Sequence, residues 1–303
     1  MDSFQKCVYK GYTLYPNTDI PKLESGALEK FLRKDDVIVQ GFPKSGNTWM
    51  IFLLQELYPD LNVFQHGDKK VPPMLEWLLA DPSVLGEADS PLLRGLKLFQ
   101  TDPGVTSSPR LIKSHLPYEV FPKQALQTGT KVIYIARNPK DVVTSHYHWM
   151  SKSSMLHEKV TWEGHLKDFI DGNHPFTPWV NHVAGWREHS EDENVLCVTY
   201  EDMVKDTKTT VRAITDFLER PLPDSQLENA ISNTSIDNLR NNPTSASKID
   251  MDEALMPNFV AGYFRKGKVG DWKNHFTVAE NEMFEDVIVK KLQEKGIEFV
   301  YEL

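Results

Sequence analysis

The chain is poor in cysteine. Only Cys7 and Cys197 occur among 303 residues, and neither has a partner at redox-motif or zinc-ligand spacing, which excludes a disulfide framework and a cysteine-built metal cluster. Free thiols fit a reducing compartment. Long apolar runs are also missing. No stretch approaches membrane-spanning length, and Met1 to Cys7 hold no apolar signal region. The expectation is a soluble, cytoplasmic protein with no membrane partner. Excess positive charge is absent as well: the formal net charge is −9, which argues against a broad basic face for nucleic acid. Any anionic ligand must be held by local clusters of Arg and Lys.

What is present is a folded composition, 40% apolar and 25% charged, with no repeat or low-complexity stretch. Val37-Ile38-Val39-Gln40 reads as a buried strand, Gly41 to Gly46 as a turn, and Asn47 onward as a helix with Trp49, Met50, Leu53, Leu54 and Leu57 at helical spacing. Three further strands are expected at Arg110–Lys113, Lys131–Ala136 and Val195–Tyr200. The second runs into a helix from about Val142, the third into one reaching Phe217. Strands alternating with helices imply an α/β fold, a single domain over 1–303 with a mainly parallel central sheet flanked by helices. Residues up to Lys34 read as a polar, turn-rich stretch with a short helix over Gly26–Leu32. The stretch 62–110 reads as loop around a helical turn at Met74–Leu79, with Asp102-Pro103-Gly104 a turn inside it. Residues 236–263 also read as loop. Thr277 and Glu280 form a capping box opening a helix with Phe284, Val287, Ile288 and Leu292 on one face, stopped by Gly296.

The polar residues gather where such a sheet places its site, beyond the carboxyl ends of the strands. The first loop has both glycines and the hydroxyl of a Walker A motif, but Asn47 replaces its lysine and Lys44 lies earlier in the loop. Strand, glycine loop and helix start suit an anion. His115 follows a strand, with Lys113 two residues before it, in position for a general base. Arg137 with Ser145 can hold a phosphate, and Arg265-Lys266-Gly267 can clamp the same group. Two cationic clusters beside an anion-ready loop suggest a ligand with two separate anionic groups. His146-x-His148 is read as no metal site, because i,i+2 residues on a helix do not face each other.

These segments resemble the cytosolic sulfotransferases. The family's YPKSGTTW loop is similar to Phe42 to Trp49, its KTHLP to Lys113 to Pro117, and its 3′-phosphate segment to Arg137 through Ser145. Its YEDM matches Tyr200 to Met203, and its RKGxxGDWKNxFT matches Arg265 to Thr277. The resemblance implies a P-loop-like, phosphosulfate-binding strand–loop–helix, the donor 3′-phosphoadenosine 5′-phosphosulfate (PAPS) with PAP as product, and no metal. Lys44, Ser45, Gly46, Asn47 and Thr48 would hold the 5′-phosphosulfate. Trp49, Tyr200, Thr234 and Ile236 would flank the adenine, and Arg137, Ser145, Arg265, Lys266 and Gly267 would grip the 3′-phosphate. His115, Lys44, Lys113 and Ser145 would be catalytic, acting on a hydroxyl or amine of a small acceptor. The family's KxxxTVxxxE pattern fits Lys273, Thr277, Val278 and Glu282, which implies a homodimer.

This chain departs from the family at Asn47, expected still to donate, at Ser114, and at Ile236, where many members carry phenylalanine. Phe42, Lys113, His115 and Trp149 are expected to line an acceptor pocket walled by 71–79 and 241–263, suited to a phenol or steroid. Two other readings of the loop remain at this point: a nucleotide or metabolite kinase, which Mg²⁺-dependent ATP turnover would reveal, and a catalytically silent nucleotide-binding protein.

Overall fold

Both faces of the central sheet are buried, and that is why its strands read as unbroken apolar runs. The computed structural model describes residues 6–66, 69–71, 73–80, 106–151, 160–241 and 264–303. Eight strands occur among them: β1 (Cys7–Tyr9), β2 (Tyr12–Leu14), β3 (Val37–Gln40), β4 (Phe64–His66), β5 (Lys69–Val71), β6 (Leu111–Ser114), β7 (Lys131–Ala136) and β8 (Val195–Thr199). The central sheet has the order β6-β3-β7-β8 with every pairing parallel. β3 therefore has β6 on one side and β7 on the other, and the chain leaves it in opposite directions, which opens a crevice at the carboxyl ends.

Alternation along the strands splits the core in two. Ile38, Ile112, Val132 and Tyr134 pack on one face, and Val37, Val39, Leu111, Ile133 and Ile135 on the other. Each such side chain contributes roughly 1.5–3 kcal/mol by leaving water, so this pattern fixes which way each strand end presents its polar residues.

The helices start where the site is. Asn47–Leu57 follows β3 with Gly46 as its N-cap at φ 112° and no side-chain cap, so no side chain covers its first N–H groups. Pro139–Met150 follows β7, capped by the Asn138 side chain accepting from the Asp141 N–H. After β8 come two helices, Tyr200–Lys205 and Thr207–Phe217, divided where the Asp206 side chain caps the second. The capping box at Thr277 forms as expected. Its helix runs Val278–Phe284, a π turn Glu285–Val289, then Lys290–Glu294, with Phe284, Ile288 and Leu292 buried.

Several expectations are corrected. Antiparallel hairpins β1–β2 and β4–β5 form where only turns and loop were read. A helix also forms at Ile20–Glu24, and the expected one spans Ala27–Phe31. The β7 helix begins at Pro139 rather than Val142, because proline at the first position loses no hydrogen bond there. Ile236–Asn241 is a short helix, not loop. Asp102-Pro103-Gly104 and 242–263 lie outside the described residues. Among those described, no helix is long and apolar enough to cross a membrane.

Candidate active site

The crevice beyond β3, β6 and β7 is a cleft of about 670 Å³ open to solvent. Its walls come from six separate parts of the chain. The β3 loop and helix start contribute Lys44, Gly46, Asn47, Thr48 and Trp49, and β6 contributes Lys113 and His115. Arg137, Ser145 and Tyr200 come from the ends of β7 and β8 and the helix after β7; Ile236, Arg265, Lys266 and Gly267 close the far side. Sequence reasoning missed Phe264, Lys268 and Asp271, which also line it. Lys268 and Asp271 belong to the cationic run already singled out, so their proximity was the available signal.

His115 is the most closely held residue of the cleft. It is 5% exposed. Its backbone N–H donates to Glu76 Oε1 at 3.0 Å, and its carbonyl accepts from His182 Nε2 at 3.0 Å, while Tyr134 and His182 Nδ1 pair at 3.2 Å. Its Nδ1 lies 2.5 Å from the Gly41 carbonyl. A carbonyl only accepts, so Nδ1 carries the proton and Nε2 keeps its lone pair. Burial, reinforced by Lys113, holds the ring's pKa well below the ordinary histidine value. His115 is thus a neutral imidazole with a defined basic nitrogen.

The loop is stitched around it. Asn47 Nδ2 donates to the carbonyls of Gly41 and Phe42, both at 3.1 Å. These contacts turn its amide hydrogens to the loop, while the residue itself lines the cleft. A Cβ at Gly41 would fall 2.4 Å from the Ile135 carbonyl, and one at Gly46 would fall 2.9 Å from the Tyr200 ring. Tyr200 in turn lies edge-on to Trp49, with ring centroids 5.8 Å apart, and Arg137 stacks 4.2 Å above it.

Across the cleft, Arg265 and Lys266 each reach an Asp271 oxygen at 2.5 Å. Burial alone would raise the Asp271 pKa, but hydrogen bonds from Lys266, Arg265 and Asn274 hold it well below the usual carboxylate range. Asp141 ties this turn to the β7 helix by accepting from the Gly270 and Trp272 N–H groups at 2.9 and 3.0 Å. A Cβ at Gly267 would fall 2.5 Å from Ile236, so those two residues pack directly.

Four expected residues do not line the cleft. Ser45 is buried under the loop. Thr234 is buried too, its hydroxyl donating to the Ala230 carbonyl at 2.7 Å. Phe42 packs edge-on against Phe169 and His182. Trp149 lies against His146, with centroids 5.6 Å apart.

Comparison with known proteins bears on what the cleft is for. The family model described as "Sulfotransferase domain" matches residues 34–296. Sulfotransferase 1A1 of Bos taurus is 35% identical over 284 residues, spanning 92% of this chain and 90% of the relative. The crystal structure of mouse sulfotransferase SULT7A1 complexed with PAP superposes with a TM-score of 0.73 at 29% identity, covering 95% of each chain. A retinol dehydratase in complex with retinol and PAP gives 0.78 at 25% identity, covering 97% of this chain and 91% of the other. The family match takes in every segment that walls the cleft, and the chain belongs to the sulfotransferase family.

Proposed function

We propose that this sulfotransferase binds PAPS in the cleft and moves its sulfuryl group to a hydroxyl, or an amine, of a small apolar acceptor such as a phenol or steroid, with His115 as general base. One observation carries the reading: the Gly41 carbonyl fixes the His115 proton on Nδ1 and leaves Nε2 basic. Kinship supports the donor, since both solved relatives named above were crystallised with PAP, one of them beside the alcohol retinol.

The residues present fit a polyanionic nucleotide. Glycine at 46 and 267 lets Tyr200 and Ile236, both in the cleft lining, pack directly against the backbone. Trp49 Nε1 and Arg137 Nε, on residues of the cleft lining, are buried without a protein partner among the described residues, which suits groups awaiting a polar ligand. Loop N–H groups and Lys44 would hold the 5′-phosphosulfate, while Arg137, Ser145, Arg265, Lys266 and Gly267 would take the 3′-phosphate. Trp49, Tyr200 and Ile236 would flank the adenine, with Thr234 supporting that wall from beneath.

With PAPS bound, His115 Nε2 would take the proton of the acceptor's hydroxyl or amine as the sulfuryl group passes to it, the bond from sulfur to the bridging oxygen breaking and PAP leaving. Lys44 would stabilise charge on that bridging oxygen, and Lys113 would act on the sulfuryl oxygens. Ser145 would keep Lys44 from the sulfonate until an acceptor arrives. Positioning and preorganised charge supply the rate enhancement. Phe42 and Trp149 would shape the acceptor side from behind the cleft wall. We further read residues 1–303 as one cytoplasmic domain that pairs into a homodimer through Lys273, Thr277, Val278 and Glu282, all on the surface.

Labelled PAPS supplied with a panel of phenols and steroids tests the activity. Transfer to at least one acceptor, independent of added Mg²⁺, is expected. Donor binding with no transfer across the panel would count against it.

A further inference from the structure

His146 and His148 do face apart, as helical spacing requires, but each meets new neighbours from other segments. His146 joins His165 and His174, and each of these three can present a ring nitrogen within 4.8 Å of the others. His148 joins Asp271 and His275 at the same separation. The two groups differ in their surroundings. Asp271 is already held by Arg265 and Lys266, two fixed positive charges that repel a cation. Among the described residues no such bonded pair holds the first group, although Lys44 lies close enough to act on His146.

The first group has the chemistry of a metal centre. His146, His165 and His174 are 4%, 2% and 8% exposed. His146 Nδ1 and His165 Nε2 lie 3.4 Å apart, close to the spacing of two nitrogens bound at ~2.0–2.1 Å around a tetrahedral ion. The His165 and His174 ring centroids are 4.4 Å apart, and those of His146 and His174 are 5.0 Å apart. His174 Nε2 lies 3.3 Å from the His165 carbonyl. That bond puts its proton on Nε2 and leaves Nδ1 with a lone pair, the kind of supporting contact that orients a ligating imidazole.

We propose that His146, His165 and His174 form a three-histidine site for a divalent transition metal, Zn²⁺ by ligand chemistry, with a fourth position left to solvent or another oxygen ligand. Such an ion ties together the helix that carries Ser145 (Pro139–Met150), the helix Trp162–Ile170 and the turn before Phe176. It is separate from sulfuryl transfer, whose proposed charges are carried by Lys44 and Lys113. All-nitrogen ligands without a carboxylate disfavour Mg²⁺ and Ca²⁺.

The test uses the full chain, stripped with a chelator and titrated with Zn²⁺ by calorimetry and with Co²⁺ by visible absorption. One ion per chain is expected, with tetrahedral Co²⁺ bands and a melting temperature raised by Zn²⁺ but not by Mg²⁺. His174→Ala, at the least buried of the three, should weaken affinity by at least the ~10–100-fold typical of a lost supporting contact, with circular dichroism unchanged. His165→Gln gives an independent check should His174→Ala misfold. His275→Gln should leave affinity unchanged. The proposal is overturned if the wild-type chain binds no stoichiometric Zn²⁺, if the folded His174 or His165 variant binds as wild type, or if His275→Gln abolishes binding.

Discussion

Behind the cleft wall, the buried Glu76 carboxyl accepts from the backbone N–H of His115. As the proposed base, His115 would act only when neutral. Its pKa lies well below the usual 6.5, through burial and then Lys113, so the ring stays neutral as pH falls through the ordinary histidine range. The acid limb of kcat/KM should therefore lie below pH 6.5; a limb at or above 6.5 would contradict the assignment. Glu76 behaves in the opposite sense. Burial pushes its carboxyl up to about 7, partly opposed by a backbone hydrogen bond and Lys113. A folded-state pKa above the unfolded value means the folded chain holds a proton that the unfolded chain releases between about pH 4.5 and 7, so this group's contribution to stability falls as pH rises through that window. Glu76→Gln should accordingly gain on the wild type with rising pH, by on the order of 1–3 kcal/mol between pH 4 and 8. Urea denaturation at the two values measures it, and an equal offset at both would refute the linkage.

At the scale of elements, the strand–loop–helix from Val37 to Leu57 is the organising unit. Gly41 has no room for a methyl group against the Ile135 carbonyl, and β3 and β7 cannot separate to make room without breaking their pairing. Gly41→Ala should cost on the order of 3 kcal/mol or more and reduce soluble yield; wild-type melting would show that the approach is looser. This unit was legible because its signals are strong and local. β3 and β7 fall on the residues their apolar runs indicated, and the helix starts at Asn47 as expected. The hairpin β1–β2 was not legible. Its strands have three residues each, and its turn uses Lys10 and Gly11, both at positive φ, where Asn-Gly would have signalled a hairpin. The start of the helix after β7 reads three residues late, at Val142 and not Pro139, because Asn-Pro also opens turns. Only the structure shows Asn138 capping it while also bonding Glu201.

At the scale of the molecule, an acidic chain gathers its cations at one crevice. Lys44, Lys113, Arg137, Arg265, Lys266 and Lys268 all line the cleft, although net charge is −9. Their convergence could be anticipated from strand ends, because a parallel sheet directs those ends to one side. The histidine cluster could not, since His165 and His174 reach His146 only through packing of the helix Trp162–Ile170. Nor could sequence decide which face of Thr234 or Ser45 points inward. The surface at Val278 raises a further prediction. Its side chain is 76% exposed, and Lys273, of the same pattern, pairs with Glu302 at 2.6 Å. If this face pairs two chains, Val278→Glu should convert dimer to monomer in light scattering without lowering the melting temperature by more than about 1 kcal/mol equivalent; an unchanged dimer mass would place the interface elsewhere.

The role proposed for His115 is to take the acceptor's proton, not to hold the donor. His115→Ala, compared with wild type for PAP affinity and for sulfuryl transfer, separates the two most directly. Nearly unchanged PAP affinity is expected, with turnover lowered by at least ~10²–10⁴-fold. Wild-type turnover in the variant, or loss of PAP binding equal to the loss of rate, would contradict it.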